Sequence, residues 1–242
     1  MTGIMTALRD LKLEGIRSCL TAMQDQGDSR LVDLLPILAR MLEAEADHRR
    51  RLVAERLAKR ARFRYMAGIQ SVATGTERNL AQDLLARLAE GRWISQGQNI
   101  LITGPTGAGK SYLASALGRQ ACQQGHGTLY FNCTRLWPML SNARKRDSYA
   151  RELRKIAKVP LLILDDFGLV KLDASERLAF LEILEDRWGK ASTVVVSQRP
   201  FATWHEALGE PTIADAICDR LFSHAEKIEL KGESLRRRPM DP

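Results

Sequence analysis

The sequence predicts an α/β protein: a parallel sheet alternating with helices, a phosphate-binding loop on its first strand, and a small all-helical segment in front. Three observations carry this. From residue 99 onward, short β-branched apolar runs alternate with stretches of helical period. The first of those runs leads straight into Gly-Pro-Thr-Gly-Ala-Gly-Lys-Ser, and residues 4–64 show helical spacing alone. At 242 residues there is room for one α/β domain and an appendage.

In chain order, Ile4, Leu8, Leu11, Ile16, Leu20 and Met23 fall near one helical face, and Gly15 predicts a break between two short helices. A second helical stretch runs from Leu31 to about Arg64. Its first half carries Leu31, Leu34, Leu35, Leu38, Met41 and Leu42; its second carries Arg49, Arg50, Arg51, Arg56, Lys59, Arg60, Arg62 and Arg64 against the single acid Glu55, and ends in Phe63 and Tyr65. A solvated helix face accounts for such a run, but its one-sidedness and its aromatics fit phosphate contact better. Residues 66–77 have no clear period and two glycines, which predicts a helical domain over 1–68, a linker over 69–77 and a nucleotide domain over 78–242.

Leu80, Leu84, Leu85 and Leu88 predict an amphipathic helix, after which Trp93 and Ile94 are candidates for a base pocket or, more simply, for core packing. Ile100–Thr103 reads as a buried strand, and Gly104–Ser111 satisfies GxxxxGK[ST]. Gly104, Gly107 and Gly109 allow the tight turn and close backbone approach that phosphate oxygens require, and the helix start adds a positive dipole end. Lys110 would reach the β and γ phosphates, and the Ser111 hydroxyl would ligate Mg²⁺.

A helix to about Gln124 and a strand over Thr128–Asn132 follow. Thr134–Lys158 is predicted helical with an interruption at Pro138, and carries Arg144, Lys145, Arg146, Arg151, Arg154, Lys155 and Lys158 around Tyr149. This suits nucleic-acid backbone contact with stacking, the other reading being a plain surface helix. Val159–Asp166 predicts a buried parallel strand delivering two acids at its carboxyl end, where open α/β sheets bind ligands. Asp165 is placed to hold Mg²⁺ through water and Asp166 to polarise an attacking water; paired acids after a strand can also be a turn or a helix cap. Asp173 or Ser175 caps a helix to Trp188 with Leu178, Phe180, Leu181, Ile183 and Leu184 on its buried side, and Ser192–Ser197 is a fourth strand. Gln198 either orients a lytic water or begins a turn. A helix over Thr212–Phe222 and a strand over Lys227–Leu230 complete the chain.

The formal charge of +8 and a pI near 9.6 suit a polyanionic partner. Cys19, Cys122, Cys133 and Cys218 form no CxxC pair, which argues against a zinc site or a disulfide framework and for reduced, packed thiols. No apolar run approaches the ~18 residues of a membrane span, and the start does not read as a signal peptide, so a soluble cytoplasmic protein is expected.

GPTGAGKS, LLILDDFG, TVVVSQRP, PTIADAICDRLFSHAEKIELKGESLRR and the opening LKLEGIRSCL occur in order. Together they resemble the IstB family, ATP-binding helper proteins encoded beside the transposase of certain insertion sequences. That family belongs to the AAA+ ATPases and is similar to the helicase loader DnaC and the initiator DnaA. The resemblance implies strand order 5-1-4-3-2, ATP and Mg²⁺ as cofactors, nucleotide at subunit interfaces, and ring or helical homo-oligomers on double-stranded DNA that recruit and stimulate a DDE transposase. Carried over by motif, Gly104, Pro105, Thr106, Gly107, Ala108, Gly109, Lys110 and Ser111 are the Walker A loop, with Tyr112 beside it in the nucleotide site. Asp165 and Asp166 are the Walker B acids, Ser197-Gln198 the sensor-1 position, Arg220 an arginine finger acting on a neighbour's nucleotide, and Arg236 a sensor-2-like arginine. The basic runs fall where the relatives contact DNA, which nominates Arg49, Arg50, Arg56, Lys59 and Arg60 in the first and Arg144, Lys145, Arg146, Arg151, Arg154 and Lys155 in the second.

Two departures shape the expectation. Most AAA+ enzymes carry Asp-Glu where this chain has Asp165-Asp166, a pair the helicase-loader branch commonly shows, so hydrolysis is expected to be slow; the DNA-assembly reading adds that it is DNA-stimulated, and residues 69–76 lack the family's acidic-aromatic stretch. About a dozen residues follow the fifth strand, too few for a helical lid, so closure over ATP is expected from a neighbouring subunit. The nearest alternative is a replicative helicase loader. A P-loop kinase and a nucleotide-switched scaffold that scarcely hydrolyses are more distant ones.

Overall fold

The computed structural model describes residues 1–235. Its helices are α1 (Thr2–Asp10), α2 (Glu14–Asp25), α3 (Leu31–Ala61), α4 (Gln82–Ala89), α5 (Arg92–Ser95), α6 (Lys110–Gln123), α7 (Cys133–Lys145), α8 (Tyr149–Ala157), α9 (Ala174–Arg187), α10 (Trp204–Leu208) and α11 (Pro211–Phe222). The strands are β1 (Asn99–Thr103), β2 (Thr128–Asn132), β3 (Leu161–Phe167), β4 (Ser192–Ser197) and β5 (Ala225–Glu229).

The chain divides into two compact units, Met1–Ala54 and Glu55–Pro242. In the first, Leu8, Leu11, Leu20 and Leu42 are buried together with Ile4, Leu31, Leu35 and Leu38 packed around them. The break between α1 and α2 falls at residues 11–13 and not at Gly15, which lies in the first turn of α2. Lys12 takes a left-handed φ of 58°, and the Leu13 amide bonds back to Leu8 O, so a non-glycine residue closes α1 by the return hydrogen bond that usually favours glycine.

The second unit holds the sheet, all parallel, in the order β2-β3-β4-β1-β5. This is the order that the family resemblance implied. Side chains alternate across each strand, so the sheet separates two cores. Ile100, Ile102, Leu161, Ile163, Val194 and Val196 pack with Leu85, Leu88, Leu113 and Leu117 on the side of α4 and α6. Leu101, Leu162, Leu164 and Val195 face the opposite way, against Leu136, Leu140, Phe180, Ile183 and Ile217 of α7, α9 and α11. Burial on both faces explains the unbroken apolar spelling of β1, β3 and β4. β5 is an edge, and its Glu226, Lys227 and Glu229 leave Ile228 as its buried residue.

Three expectations on this unit change. Residues 69–77, expected as a linker, pack on this unit: Ile69 and Val72, like Phe63 before them, lie against its core, Gly75 pairs antiparallel with Leu80, and the division between compact units falls inside α3. Pro138 does not interrupt α7, because it and Thr134, whose carbonyl its missing N–H would have bonded, both face solvent. The break comes at residues 146–148, where Asp147 is left-handed. Finally, Leu178 is exposed on α9, whereas Phe180, Ile183 and Leu184 are buried. That helix starts as expected at Asp173, whose carboxylate accepts from the Glu176 amide while the Glu176 side chain accepts from the Asp173 amide.

Candidate nucleotide site

The site lies at the carboxyl ends of β1, β3 and β4, where the outgoing connection of β1 runs over one face of the sheet and the later connections over the other. Gly104, Gly107 and Gly109 all have positive φ, at 143°, 86° and 95°. A side chain at Gly104 would strike the Leu230 carbonyl at 2.3 Å, and one at Gly107 the Ser234 Oγ at 2.1 Å, so the spelling of this loop is also set by the chain that crosses it. That crossing segment is tied down by the Leu235 amide donating to Gly107 O at 3.0 Å and by Arg78 donating to Glu233 O at 2.8 Å. Arg236, named on sequence, lies outside the described residues.

Lys110, buried at the start of α6, donates to Pro105 O at 2.8 Å. The Ser111 hydroxyl donates to Asp165 Oδ1 at 2.9 Å, and Thr106 donates to Gln198 Oε1, also at 2.8 Å. Ser197 is wholly buried and joins the ends of β3 and β4, donating to Phe167 O at 2.7 Å.

The two acids sit on a β-bulge. Leu164 pairs with Val195 and Phe167 with Ser197, so Asp165 and Asp166 together oppose Val196, and Asp166 takes a left-handed φ of 57°. Consecutive residues of a regular strand point to opposite faces. Here both Oδ2 atoms reach the same guanidinium: Arg64 Nη1 lies 3.2 Å from Asp165 Oδ2 and 3.0 Å from Asp166 Oδ2. Asp165, fully buried, also accepts from the Tyr130 hydroxyl and the Asp166 amide, and Asp166 accepts from Asn132 Nδ2 at 2.7 Å. Burial, then the neighbouring Asp165 charge, holds the Tyr130 hydroxyl well above its ordinary range, so it remains a donor.

Sequence reasoning missed Arg64, Tyr130 and Asn132. Asn132 was legible in one respect, since it ends the strand that pairs with β3 and stands opposite Asp165. Arg64 gave no signal of its own, being one arginine in a basic run. It is presented by residues 62–67, which start at a left-handed Arg62 and lie along α6: Phe63 fills the space beside Gly118, Tyr65 meets the Tyr112 ring at 6.0 Å, and Arg119 donates to Ala67 O.

Arg220 is not in this cluster. Asn99, the first residue of β1, donates to Arg220 O at 3.1 Å, which places Arg220 at the amino end of the strand whose carboxyl end leads into the loop. Its guanidinium pairs with Glu185 at 3.0 Å and with Asp219, and stacks over Trp188, 4.9 Å from the ring centre. Trp93 and Ile94 are also at that end, buried, with Ser192 Oγ donating to Trp93 O; their role is packing.

Of the basic runs, Arg49 pairs with Glu45 and Arg50 with Asp47, while Arg56, Lys59 and Arg60 are exposed. Arg144, Lys145, Arg146, Arg151, Arg154 and Lys155 are likewise exposed, Arg151 and Lys155 flanking Glu152. Tyr149 is half-buried, with Arg144 over its ring at 4.2 Å and its hydroxyl bonded to Glu182.

Among the described residues no group of three or more His, Cys, Asp or Glu can hold a metal ion. The oxygen donors present, Ser111 Oγ and the Asp165 carboxylate, suit a magnesium ion that completes its shell with phosphate and water. Nor is any described helix long and apolar enough to cross a membrane.

Comparison with known proteins gives the lineage. The model of the family described as IstB-like ATP binding protein matches residues 6–241.

The chain belongs to the IstB-like ATP-binding protein family.

It is 42% identical over 233 residues to an insertion sequence ATP-binding protein of Sinorhizobium fredii, covering 95% of this chain and 94% of that one. To the ATP-binding protein of insertion sequence IS21 from Pseudomonas aeruginosa it is 29% identical, over 98% of this chain and 89% of the other. In fold it is similar to DnaI (TM-score 0.59, 23% identity, 69% of this chain and 92% of that one) and to the DnaC helicase loader (TM-score 0.56, 17% identity, 69% and 98%). The fold is therefore that of the DnaC- and DnaA-like AAA+ proteins.

Proposed function

We propose that this IstB-like chain binds Mg²⁺–ATP at Gly104–Ser111, hydrolyses it between copies, and uses the nucleotide-bound assembly to hold duplex DNA and recruit a transposase. The observation that carries the reading is the separation of the parts. Ser111, Asp165, Asp166, Thr106 and Gln198 meet at one end of the sheet, and Arg220 stands at the other, where it cannot serve its own site.

In this reading Lys110 leaves Pro105 O for the phosphates, and Ser111 with Asp165 holds the metal. Magnesium, when bound, offsets the charge that develops on the phosphate oxygens. Asp166 and Gln198 orient the attacking water, and Arg220 of one copy stabilises transition-state charge on the next, a contribution that in GTPases reaches ~10³–10⁵. The exposed arginines and lysines of α3, α7 and α8 supply phosphate contacts to DNA.

Sedimentation of the protein with ATP, Mg²⁺ and a duplex of defined length, beside a single strand at the same salt, tests this. ATP-dependent oligomers on the duplex support it; a monomer under all conditions overturns it. A preference for single strands would point to the helicase-loader alternative.

A further inference from the structure

Asp165 and Asp166 are adjacent acids at a bulge, one of them fully buried, and two such charges are costly without a cation beside them. Among the described residues Arg64 is a cation beside both, its single Nη1 bridging the two Oδ2 atoms. This occupies the water-orienting acid as well: Asp166 Oδ2 accepts from Arg64 and from Asn132, so that oxygen is engaged twice. Ser111, by contrast, approaches Asp165 through the other oxygen, Oδ1.

Arg64 is not locked in. Its side chain is 37% exposed, and its aromatic contact is with the adjacent Tyr65 ring, 5.7 Å away. A dispensable packing role would not need the turn at Arg62 that aims it, nor the anchorage of Phe63 and Ala67 on either side.

We propose that Arg64 is the resident countercation of the Asp165–Asp166 pair and yields those carboxylates when magnesium–nucleotide loads, so that it sets the metal dependence of the site. The inference rests on the ATP reading above. In the unloaded state Arg64 offsets one of the two carboxylate charges and keeps Asp166 from orienting water. A divalent ion brought in by phosphate offsets the charge of those acids in its place, and the guanidinium is released from competition for the same oxygens. Two cations then oppose each other at one pair of carboxylates, and removing Arg64 must strengthen the metal's hold.

The test is binding of a fluorescent ATP analogue to the full chain, titrated against free Mg²⁺ at constant ionic strength, for wild type, Arg64→Gln and Arg64→Lys, with thermal melting of each. The midpoint in Mg²⁺ is expected to fall by about fivefold to tenfold in Arg64→Gln and by less in Arg64→Lys, which keeps the charge but not the bridging fork. An unchanged midpoint, with or without a change in melting temperature, reduces Arg64 to a structural residue and overturns the proposal. A raised midpoint, or weaker nucleotide binding at saturating Mg²⁺, makes it a nucleotide ligand and overturns it too. Should Arg64→Gln fail to fold, the direction of the Arg64→Lys shift decides. Absence of nucleotide binding by wild type at every Mg²⁺ concentration would instead overturn the ATP reading, and this inference with it.

Discussion

At the carboxyl ends of β1, β3 and β4, polar side chains meet one another: Asp165 and Asp166 with Arg64, and Ser111 with Asp165. At the amino ends of β1 and β4, apart from the Arg220 ion pairs with Glu185 and Asp219, the polar groups meet backbone. Asn99 bonds Arg220 O and the Thr193 amide, Ser192 Oγ bonds Trp93 O, and buried Arg187 bonds the carbonyls of Ile156, Val159 and Ser192. Burial pulls Arg187 down to about 9, which still leaves it charged at neutral pH, and those carbonyls and the Thr193 hydroxyl accept its hydrogen bonds. The contrast is between partners that a ligand can replace and partners that it cannot. A charged side chain gives up its neighbour for phosphate or metal, whereas a carbonyl buried in the fold has nowhere else to turn.

Substitutions at the two ends should therefore separate function from stability, with Arg220 as the exception. Lys110→Ala is expected to weaken ATP binding on the order of 10³-fold with melting little changed, measured by analogue titration; binding within tenfold of wild type would break the comparison. Arg220→Ala should keep nucleotide affinity within about threefold while hydrolysis falls on the order of 10³-fold. Mixing it with Lys110→Ala protein should restore turnover, because each variant carries the half the other lacks. Trp93→Ala, at the amino end, should cost about 3 kcal/mol in denaturant unfolding and leave the affinity of the remaining folded protein unchanged. Asp166→Asn should slow hydrolysis about 10²-fold in a single-turnover assay while nucleotide still binds.

The smallest effect is expected at the helix cap. The Glu176 amide, followed by the Ser175 hydroxyl and amide and the charge of Arg177, holds the Asp173 carboxyl below the usual aspartate range, although burial works against it. A depressed carboxyl favours the folded chain above its unfolded pKa and loses that effect as pH falls through the folded value. Asp173→Ala should cost about 1 kcal/mol at pH 7 and progressively less below about pH 4, read from melting curves of both proteins.

Most of the architecture was legible in the sequence because the sheet is buried on both faces. β2 and β4 coincide with their predicted spans, the loop and the acids were named from spelling alone, and Asp173 was one of the two caps that spelling offered. What stayed hidden depends on geometry that spelling does not carry. A bulge between Leu164 and Phe167 puts adjacent acids on one cation, against the alternation a strand implies. Arg64 is spelled like its basic neighbours and differs from them in where the turn at Arg62 sends it. Pro138 and Gly15 mislead for the reverse reason, since local propensity gave way to solvent exposure in one and, in the other, to a local return hydrogen bond that closes α1 at Lys12.

Gly118 lies in the middle of α6, far along the helix from the phosphate loop, and its missing methyl is where the Phe63 ring sits: a carbon added there would fall 2.4 Å from that ring and 2.7 Å from Ile163. One uncharged atom at position 118 thus acts as a wedge beneath the residue next to Arg64. Gly118→Ala would loosen the guanidinium's footing without changing any ionisable group of the protein, turning a close contact in the packing into a handle on the electrostatics of the acids.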